Sequence, residues 1–342
     1  MSKLRILMIG GTGTISSAIT RQLAASGHDL WLLNRGTRSQ EVPAGVTQII
    51  ADIDDTDAVL AGLGDTQFDA VCEFIGFVPE QVERDIRLFC GRTRQYVYIS
   101  SASAYAKPVR SPYIAEGTAL ANPHWQYSRN KIACEELLMR EYRDNGFPVT
   151  IVRPSHTYCE RSVPVSIHGP KGSWPVLKRM LDGKPVLVHG DGSSLWTLTW
   201  NEDFARGFIG LLGNPKAIGE AFQIMSDEQL TWDQIYQCVA QALNVKPQLY
   251  HVSSYFLAAT CPADYDMEGN LIGDKAATVL FDCTKLKRAV PGFCCATRFD
   301  QGVRRCIDYI LGHPELQVED AAFDAWCNRV IEAQEQAKQY MK

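Results

Sequence analysis

Short, nearly continuous apolar runs alternate with amphipathic stretches through the first half of the chain. Runs of this kind are typical of strands that are covered on both faces of a sheet. Between the first two runs, Ile15, Ile19 and Leu23 recur at helical spacing, and Gly27 predicts where that helix stops. The pattern predicts six strands, at 4–9, 30–33, 47–51, 70–74, 96–100 and 150–153.

Strands that alternate with helices favour right-handed crossovers and therefore a doubly wound parallel sheet. After about residue 157 the pattern loosens into a loop over 162–175, a helix at 176–181 and a strand within 183–194. A helix at 202–212, a strand at 221–225 and a polar helical tail at 317–341 follow. We expect an α/β protein with a dinucleotide-binding part at 1–157, to which segments near 185–225 return. Residues 158–342 would form mainly a smaller substrate-binding α/β part.

Composition narrows the function classes. The chain has 342 residues, of which 46% are hydrophobic, and a net charge of −5, so nucleic acid is not the expected partner. The longest apolar runs fall far short of the roughly 18 residues that a membrane span needs. The eleven cysteines form no CxxC pair, and several lie in apolar runs, which favours reduced thiols without a metal. We therefore expect a cytoplasmic protein with no membrane partner.

A glycine-rich turn, "IGGTGTIS", joins the first strand to the first helix. Gly10 would permit the tight turn, and Gly13 would let a pyrophosphate approach the backbone. Thr14 and Ile15 open the helix, whose free N–H groups and positive dipole end favour a phosphate. The third small residue of the pattern is Ser16. The context predicts a Rossmann-type dinucleotide site.

The end of the second strand suggests which dinucleotide binds. An acidic residue that holds the NAD ribose is usual here, but the chain has Asn34, Arg35 and, further on, Arg38. An amide does not repel a 2′-phosphate, and a guanidinium can pair with one, so NADP(H) is favoured over NAD(H). The alternative is a solvated Arg35 and an NAD ribose bound by Asn34.

Asp52 and Ile53 follow the third strand, where a carboxylate can accept a hydrogen bond from adenine. The alternative for Asp52 is a role as N-cap of the next helix.

Tyr127 and Lys131 lie four apart on a predicted helix, hence on one face. Upstream, the fifth strand ends in Ser100, Ser101 and Ser103, at the sheet edge where ligands bind. Oxidising a secondary alcohol requires a base for the hydroxyl proton. A phenol with a pKa of about 10 becomes a better base beside an ammonium group, and a serine hydroxyl can hold the substrate oxygen.

These motifs together resemble the extended short-chain dehydrogenase/reductase family, which includes nucleotide-sugar epimerases and dehydratases. The resemblance covers the first 160 residues and continues, through "GKPVLVHGDG" and "NEDFARGF", to about residue 210. It implies that Ser101, Tyr127 and Lys131 are catalytic and that Lys131 also binds the nicotinamide ribose. The resemblance further implies that the cofactor contacts Ser100, Pro154 and Thr157. It implies substrate contacts for Ser103 and His156, and His156 stands where many sugar-nucleotide enzymes of the family have asparagine.

Three departures from the family pattern bear on the substrate. Ser16 replaces the last glycine. Ala102 and Ser103 follow Ser101 where dehydratases carry an acidic pair, which makes 4,6-dehydration unexpected. Trp196 occupies the position of an arginine that clamps a diphosphate. The candidate replacements for that arginine are Lys171, Lys178 and Arg179.

The sequence thus predicts an NAD(P)-dependent enzyme, an epimerase or dehydrogenase, acting on a secondary hydroxyl of a sugar or nucleotide-sugar-like substrate. The alternatives are an NADPH-dependent reductase of a small carbonyl or polyol and, in another class, a non-catalytic dinucleotide sensor or RNA-associated protein. The resemblance also implies a homodimer, paired through the helices after Pro79 and around Tyr127. Four tryptophans are candidates either for stacking on a sugar or for packing: Trp125, Trp174, Trp196 and Trp200.

Overall fold

The computed structural model describes residues 3–37 and 42–342. Its strands are β1 (Arg5–Ile9), β2 (Asp29–Asn34), β3 (Thr47–Ile50), β4 (Ala70–Glu73), β5 (Tyr96–Ile99), β6 (Tyr113–Ile114), β7 (Val149–Pro154), β8 (His156–Tyr158), β9 (Val186–His189), β10 (Leu195–Trp196), β11 (Leu198–Trp200), β12 (Glu220–Ile224), β13 (Leu230–Thr231), β14 (Leu249–Val252) and β15 (Leu280–Phe281). Its helices are α1 (Ser16–Ala25), α2 (Thr56–Leu63), α3 (Pro79–Phe89), α4 (Gln126–Asn145), α5 (Trp174–Leu181), α6 (Asn201–Leu211), α7 (Trp232–Ala242), α8 (Ser254–Thr260), α9 (Thr284–Ala289), α10 (Phe299–Leu311) and α11 (Ala321–Tyr340).

Seven parallel strands form the central sheet in the order β12-β7-β5-β4-β1-β2-β3. Strands β4, β5 and β7 are buried along their whole length, which explains their continuous apolar runs. The six strands predicted from the sequence are all present within a residue or two of the predicted bounds. The doubly wound, Rossmann-type α/β fold is confirmed.

The order of the strands determines where a ligand can bind. Strand β1 lies between β2 and β4, so the helices that follow β1 on its two sides cover opposite faces of the sheet. Because all seven strands are parallel, their carboxyl ends meet at one edge. In open parallel sheets this edge, near the strand where the order reverses, is the usual ligand site. The glycine turn after β1 and the serines after β5 both lie at this edge.

Four two-stranded pairings lie outside the central sheet, β10 with β13, β11 with β8, β14 with β9 and β15 with β6. The second half of the chain contributes buried aromatic residues to a further core, which includes Trp232, Tyr236 and Trp326. Strand β12 returns to the central sheet beside β7, and helix α6 packs on α1. A segment with π-helical hydrogen bonding, Glu268–Lys275, lies near the start of α4.

A buried ion pair joins α4 to β7. Arg153 donates from Nε to Glu135 Oε1 at 2.9 Å and from Nη2 to Oε2 at 2.6 Å, with both side chains at most 6% exposed. Arg153 Nη1 also donates to the Tyr105 hydroxyl and to the Glu116 carbonyl. Burial lowers the pKa of Arg153, but the hydrogen bonds and charge of Glu135 outweigh it, so the net pKa is raised. The pair fixes helix α4 to the sheet.

We expect Glu135→Gln to lower the free energy of unfolding by about 3–5 kcal/mol, because it leaves the Arg153 guanidinium buried without its counter-ion. Urea unfolding followed by circular dichroism measures this change. Glu136→Gln is the matched control, since Glu136 is the next residue on the same helix and is exposed. A loss of stability as large in the control as in Glu135→Gln would contradict the prediction.

Candidate active site

The glycine turn after β1 has the geometry that the sequence predicts. Gly10 has φ +81°, and a Cβ added there would lie 2.6 Å from Ile75 Cγ2. A side chain at this position would therefore be strained by the backbone and blocked by the neighbouring loop. At Gly13 a Cβ would meet only the Ser16 hydroxyl, at 3.4 Å. The backbone at Gly13 is thus open to a ligand.

Ser16 closes the turn through its hydroxyl, which donates to the Gly10 carbonyl at 2.6 Å and accepts from the Gly13 amide at 2.8 Å. The departure from glycine at this position is therefore compatible with the turn, because the serine hydroxyl joins its two ends. From the opposite side, Asn201 Nδ2 donates to the Thr14 carbonyl at 3.0 Å. The asparagine that begins "NEDFARGF" helps to hold the turn in place.

A cavity of about 370 Å³ lies over this turn. No side chain caps the start of α1 and no acidic residue lies in its first turn, so the positive end of the helix dipole faces the cavity. The Oγ of Ser100 and the Oγ1 of Thr157 are buried without a protein hydrogen-bond partner. The open turn and the positive end of the helix fit the pyrophosphate of a dinucleotide, whereas neither Ser100 nor Thr157 is among the described residues that line this cavity. The cavity is lined by Gly10, Thr12, Gly13, Thr14, Ile15, Ser16, Asn34, Arg35, Gly36, Thr37, Phe74, Ile75, Phe77 and Ile99.

Asn34 and Arg35 both line this cavity, at the end of β2. Asn34 Oδ1 accepts a hydrogen bond from the Gly36 amide at 2.9 Å, and Gly36 has φ +68°. The amide side chain thus holds the turn in which Arg35 is exposed at the rim of the cavity. Arg38 lies outside the described residues.

Asp52 and Ile53, unlike Asn34 and Arg35, are not among the described residues that line the cavity over the glycine turn. Asp52 is exposed in the turn after β3, where its Oδ1 accepts from the Asp54 amide at 3.1 Å. Asp52 is not the N-cap of α2, because Asp55 is, through a bond from the Ala58 amide. Ile53 is 6% exposed and packs in the core beneath the sheet.

Ser101, Ser103 and Tyr127 line a second cavity of about 290 Å³, together with Pro154 and His156. This cavity brings together residues from the ends of β5 and β7 and from the first turn of α4. The tertiary structure therefore unites these five side chains, of which Ser101 and His156 lie 55 positions apart in the sequence.

A chain of hydroxyls orders the serine segment. Ser101 Oγ and Ser103 Oγ are 2.8 Å apart, and the buried Ser128 hydroxyl donates to Ser103 Oγ at 2.7 Å. Asn122 Nδ2 donates to the Ser103 carbonyl at 2.8 Å. These bonds fix the serine segment against the catalytic helix α4.

Lys131 is 1% exposed, and its ammonium group donates to the Gly76 and Ile99 carbonyls, both at 2.7 Å. It also lies 4.8 Å from the ring centroids of Phe77 and Tyr98. Burial lowers the pKa of Lys131 to about 8, although nearby acidic groups oppose this change. The lysine connects α4 to the carboxyl ends of β4 and β5.

The electrostatics of Tyr127 differ from the sequence-based expectation of a lowered phenol pKa. Burial raises the pKa of Tyr127, hydrogen bonding with the Ser101 side chain opposes the rise, and the charge of Asp274 adds to it. Lys131 Nζ lies 5.9 Å from the Tyr127 ring centroid and is directed at backbone carbonyls. In this arrangement desolvation of the phenol outweighs the ammonium.

His156 lines the catalytic cavity, and burial lowers its pKa to about 3, with further lowering by the charge of Lys275 and by His168. The imidazole is therefore neutral near pH 7 and can contact a substrate without adding charge. Trp125 also lines this cavity and packs 4.9 Å from the Tyr127 ring centroid. Its placement fits contact with a substrate.

The other three tryptophan candidates, Trp174, Trp196 and Trp200, are buried in the hydrophobic core that also contains Trp232, each at most 7% exposed. Trp196 packs against Trp232, with ring centroids 5.9 Å apart. Packing accounts for their size and apolar character.

The three basic residues considered as diphosphate ligands are engaged elsewhere. Arg179 is buried and donates to Asp324 Oδ1 at 2.5 Å, Lys178 pairs with Asp182, and Lys171 donates to the Glu319 carbonyl at 3.1 Å. Asp324 lies on α11, Asp182 is the C-cap of α5, and Glu319 precedes α11. None of the three basic residues is among the described residues that line the 290 Å³ cavity.

The sequence analysis missed His168, Asp274 and Lys275, which also line the catalytic cavity. Asp274 and Lys275 come from the π-helical segment in the C-terminal third, where no motif signals them. Asn122, which lies just before Tyr127 in the chain, also escaped notice. Its proximity to the YxxxK pattern was the only local signal.

A protein-family model supplies the decisive comparison. The model described as "NAD dependent epimerase/dehydratase family" matches residues 6–224, which is more than half of the chain. The chain belongs to this family. The match spans the glycine turn, the serine segment, Tyr127, Lys131 and strand β12.

Curated relatives in this family differ in what their names describe. The chain is 29% identical over 264 residues to the chloroplast stem-loop binding protein of 41 kDa b of Arabidopsis thaliana, covering 73% of this chain and 66% of the relative. It is 27% identical over 240 residues to 2'-dehydrokanamycin reductase of Streptomyces kanamyceticus, covering 70% of this chain and 67% of the relative. The matches thus span about two thirds of each relative. The name of the second relative describes a reductase, whereas the name of the first describes binding to a stem-loop.

Solved structures of epimerases and dehydratases share the fold. Epimerase Mth375 of Methanothermobacter thermautotrophicus has a TM-score of 0.74 at 18% identity, covering 92% of this chain and 94% of that one. UDP-glucose 4-epimerase of Thermus thermophilus, in complex with NAD, has a TM-score of 0.70 at 21% identity, covering 91% and 100%. At these identities the likeness shows the fold, and the Thermus thermophilus structure is described with NAD bound.

No helix in residues 3–37 and 42–342 is long and apolar enough to cross a membrane. Within the same ranges, no group of three or more histidine, cysteine or acidic side chains is arranged to hold a metal ion.

We expect Ser16→Ala to weaken binding of the nicotinamide dinucleotide and to lower the free energy of unfolding by about 1–2 kcal/mol, because two hydrogen bonds across the turn are lost. Fluorescence titration and urea unfolding measure the two effects. Ser17→Ala is the control, since no side-chain hydrogen bond of Ser17 holds the turn. Equal cofactor affinity in both variants and the wild type would refute the assigned role of Ser16.

Proposed function

We propose that the protein is an NAD(P)-dependent oxidoreductase or epimerase that acts on a secondary hydroxyl of a sugar or nucleotide-sugar-like substrate. One observation carries the proposal. Ser101 and Tyr127 line the 290 Å³ cavity, while Ile99 and Phe77, which Lys131 contacts, line the 370 Å³ cavity over the phosphate cradle. The acid–base groups therefore lie where a cofactor and a substrate would meet.

A nicotinamide cofactor bound in the larger cavity would accept or supply the hydride. The Tyr127 phenolate oxygen would take the hydroxyl proton as the substrate carbon loses its hydride, and it would return that proton in the reverse direction. The Ser101 hydroxyl would hold the substrate oxygen by a hydrogen bond. The buried Lys131 ammonium donates to the carbonyls of Gly76 and Ile99 and so keeps α4, with Tyr127, at the sheet edge.

Two outcomes of this chemistry compete. An epimerase returns the same hydride to the other face of the ketone, whereas an NADPH-dependent reductase of a small carbonyl or polyol releases its product and exchanges cofactor. Two measurements distinguish these outcomes: mass spectrometry of ligands that copurify with the protein, and the absorbance of NAD(P)H during turnover. A retained dinucleotide without a net change in absorbance supports the epimerase, and a net change in absorbance supports the reductase.

We also propose that NADP(H) is preferred over NAD(H). The support is the turn at the end of β2, in which Asn34 accepts from the Gly36 amide and Arg35 is exposed at the cavity rim. A guanidinium placed there can pair with a 2′-phosphate. No carboxylate is among the residues that line the cavity in the described chain.

A cytoplasmic homodimer is the proposed state of the protein. Helices α3 and α4 pack beside each other, which supports pairing with the same two helices of a second copy. All eleven cysteines are free, which supports a reducing compartment.

An RNA-associated function is the second candidate, favoured by the 29% identity to the chloroplast stem-loop binding protein. The acidic net charge of −5 weighs against it, because binding to a phosphate backbone requires a basic surface. The intact set of Ser101, Tyr127 and Lys131 weighs against it as well.

We expect Tyr127→Phe to lower the rate of hydride transfer by about 100- to 10,000-fold, the usual contribution of a general acid–base group, with little change in cofactor affinity. Stopped-flow absorbance of NAD(P)H measures the rate. Tyr113→Phe is the matched control, because Tyr113 is 73% exposed. A Tyr127→Phe variant with full biological activity would instead support the RNA-associated function.

We expect Arg35→Ala to weaken NADP binding by about tenfold or more and NAD binding by less than about twofold, because only NADP has the 2′-phosphate. Isothermal titration with both cofactors measures this. Arg110→Ala, which removes an exposed arginine outside the cavity lining, is the control. Tighter binding of NAD than NADP in the wild type, unaffected by Arg35→Ala, would overturn the preference.

A further inference from the structure

The C-terminal third of the chain reaches the catalytic cavity through the π-helical segment Glu268–Lys275. Asn122, which is 3% exposed, donates from Nδ2 both to the Ser103 carbonyl at 2.8 Å and to the Gly273 carbonyl at 2.7 Å. One buried amide therefore fixes the position of this segment relative to the catalytic serine segment. Asp274, the next residue, is placed beside the same cavity.

A second attachment holds the segment against the catalytic helix. Trp125 Nε1 donates to Asp266 Oδ2 at 2.7 Å, and the Trp125 ring packs on Tyr127. A Cβ added at Gly269 would lie 2.1 Å from Trp125 Cδ1, so glycine is required for this close approach. The segment is thus built to lie against the start of α4.

The backbone and the ammonium group of Lys275 are held by contacts with residues other than Asp274. Its carbonyl accepts hydrogen bonds from His189 Nε2 at 3.1 Å and Trp232 Nε1 at 3.2 Å, and its ammonium donates to Asn270 Oδ1 at 3.0 Å. These contacts fix the backbone at Lys275 and direct its charge towards Asn270. Asp274 remains as the carboxylate that lines the cavity.

Asp274 has no ion-pair partner within 4.0 Å and no side-chain hydrogen bond among the described residues of the protein. Burial raises its pKa, and the charges of Lys107 and Lys275 oppose the rise. The neighbouring His156 is neutral near pH 7 and adds no counter-charge. Asp274 is half-buried and lines the cavity, so its carboxylate oxygens are available to accept hydrogen bonds from a ligand bound there.

The same cavity does not suit a nucleotide diphosphate. No arginine is among the residues that line it in the described chain. Trp196 occupies the position of the family's diphosphate clamp and is buried, while Arg179 and Lys178 pair with Asp324 and Asp182. The cavity volume of about 290 Å³ is near the lower end of the range for small-molecule sites.

We propose that Asp274 is a substrate-binding residue, and that it holds an amino or hydroxyl group of a small sugar or polyol that carries no nucleotide diphosphate. The inference rests on the proposed function and specifies its substrate class. Tyr127 and Ser101 engage the reacting hydroxyl, while the Asp274 carboxylate accepts hydrogen bonds from a donor elsewhere on the same molecule. An ammonium group is the strongest such donor, because its charge complements the carboxylate.

The test measures binding of three probes to the full-length protein saturated with NADP. The probes are methyl 2-amino-2-deoxy-α-D-glucopyranoside, methyl α-D-glucopyranoside and UDP-glucose, titrated to millimolar concentrations by calorimetry or saturation-transfer NMR. We expect at least one glycoside to bind more tightly than UDP-glucose, and Asp274→Asn to weaken that binding by about tenfold. A larger loss for the amino glycoside identifies ammonium as the preferred donor, and equal losses identify hydroxyl.

Asp264→Asn is the matched control, since Asp264 is an exposed carboxylate in the same part of the chain. Asp274→Ser provides a second variant, and unchanged NADP affinity verifies that each variant is folded. The inference is overturned if UDP-glucose binds most tightly, if Asp274→Asn and Asp274→Ser leave all affinities unchanged, or if no probe binds. Failure of the proposed function is a separate result, because it would appear as absent cofactor binding or as hydride transfer that does not depend on Tyr127.

Discussion

The burial of the Lys131 ammonium group is the constraint on which the catalytic region depends. A charge that is 1% exposed needs hydrogen-bond acceptors, and the carbonyls of Gly76 and Ile99 supply them at 2.7 Å. Those carbonyls belong to the loop after β4 and to the end of β5. The lysine therefore holds α4 to the edge of the sheet, and Tyr127, one turn earlier, is held with it.

Two of the departures from the family pattern are explained in different ways. Ser16 compensates locally for a missing glycine, because its hydroxyl bonds to both ends of the turn. The missing acidic pair after Ser101 has no local substitute, but a carboxylate, Asp274, reaches the cavity from the far end of the chain. The chain belongs to the epimerase/dehydratase family, and the segment Glu268–Lys275 lines the cavity that Ser101 and Tyr127 also line.

Much of the fold and part of the site could be predicted from local patterns. The six strands were recognisable because strands covered on both faces carry continuous apolar runs. Tyr127 and Lys131 were recognisable because four-residue spacing on a helix places both side chains on one face. The helix-cap alternative for Asp52 was wrong because the chain makes one more turn before α2 begins, and Asp55 takes that position. The expected lowering of the Tyr127 pKa was not found because the degree of burial cannot be predicted from spacing.

The sequence by itself determined the strand–helix alternation, the phosphate cradle at Gly10 and Gly13 and the spacing of the acid–base groups, because each depends on neighbours within a few residues. Only the tertiary structure decided that Trp196 is packed in a core, that Arg179 is paired with Asp324, and that Asp274 faces the catalytic cavity. Contacts of this kind join residues more than a hundred positions apart, as Asn122 does with the Gly273 carbonyl. Such contacts depend on how the folded elements pack, and no local pattern of residues records that packing.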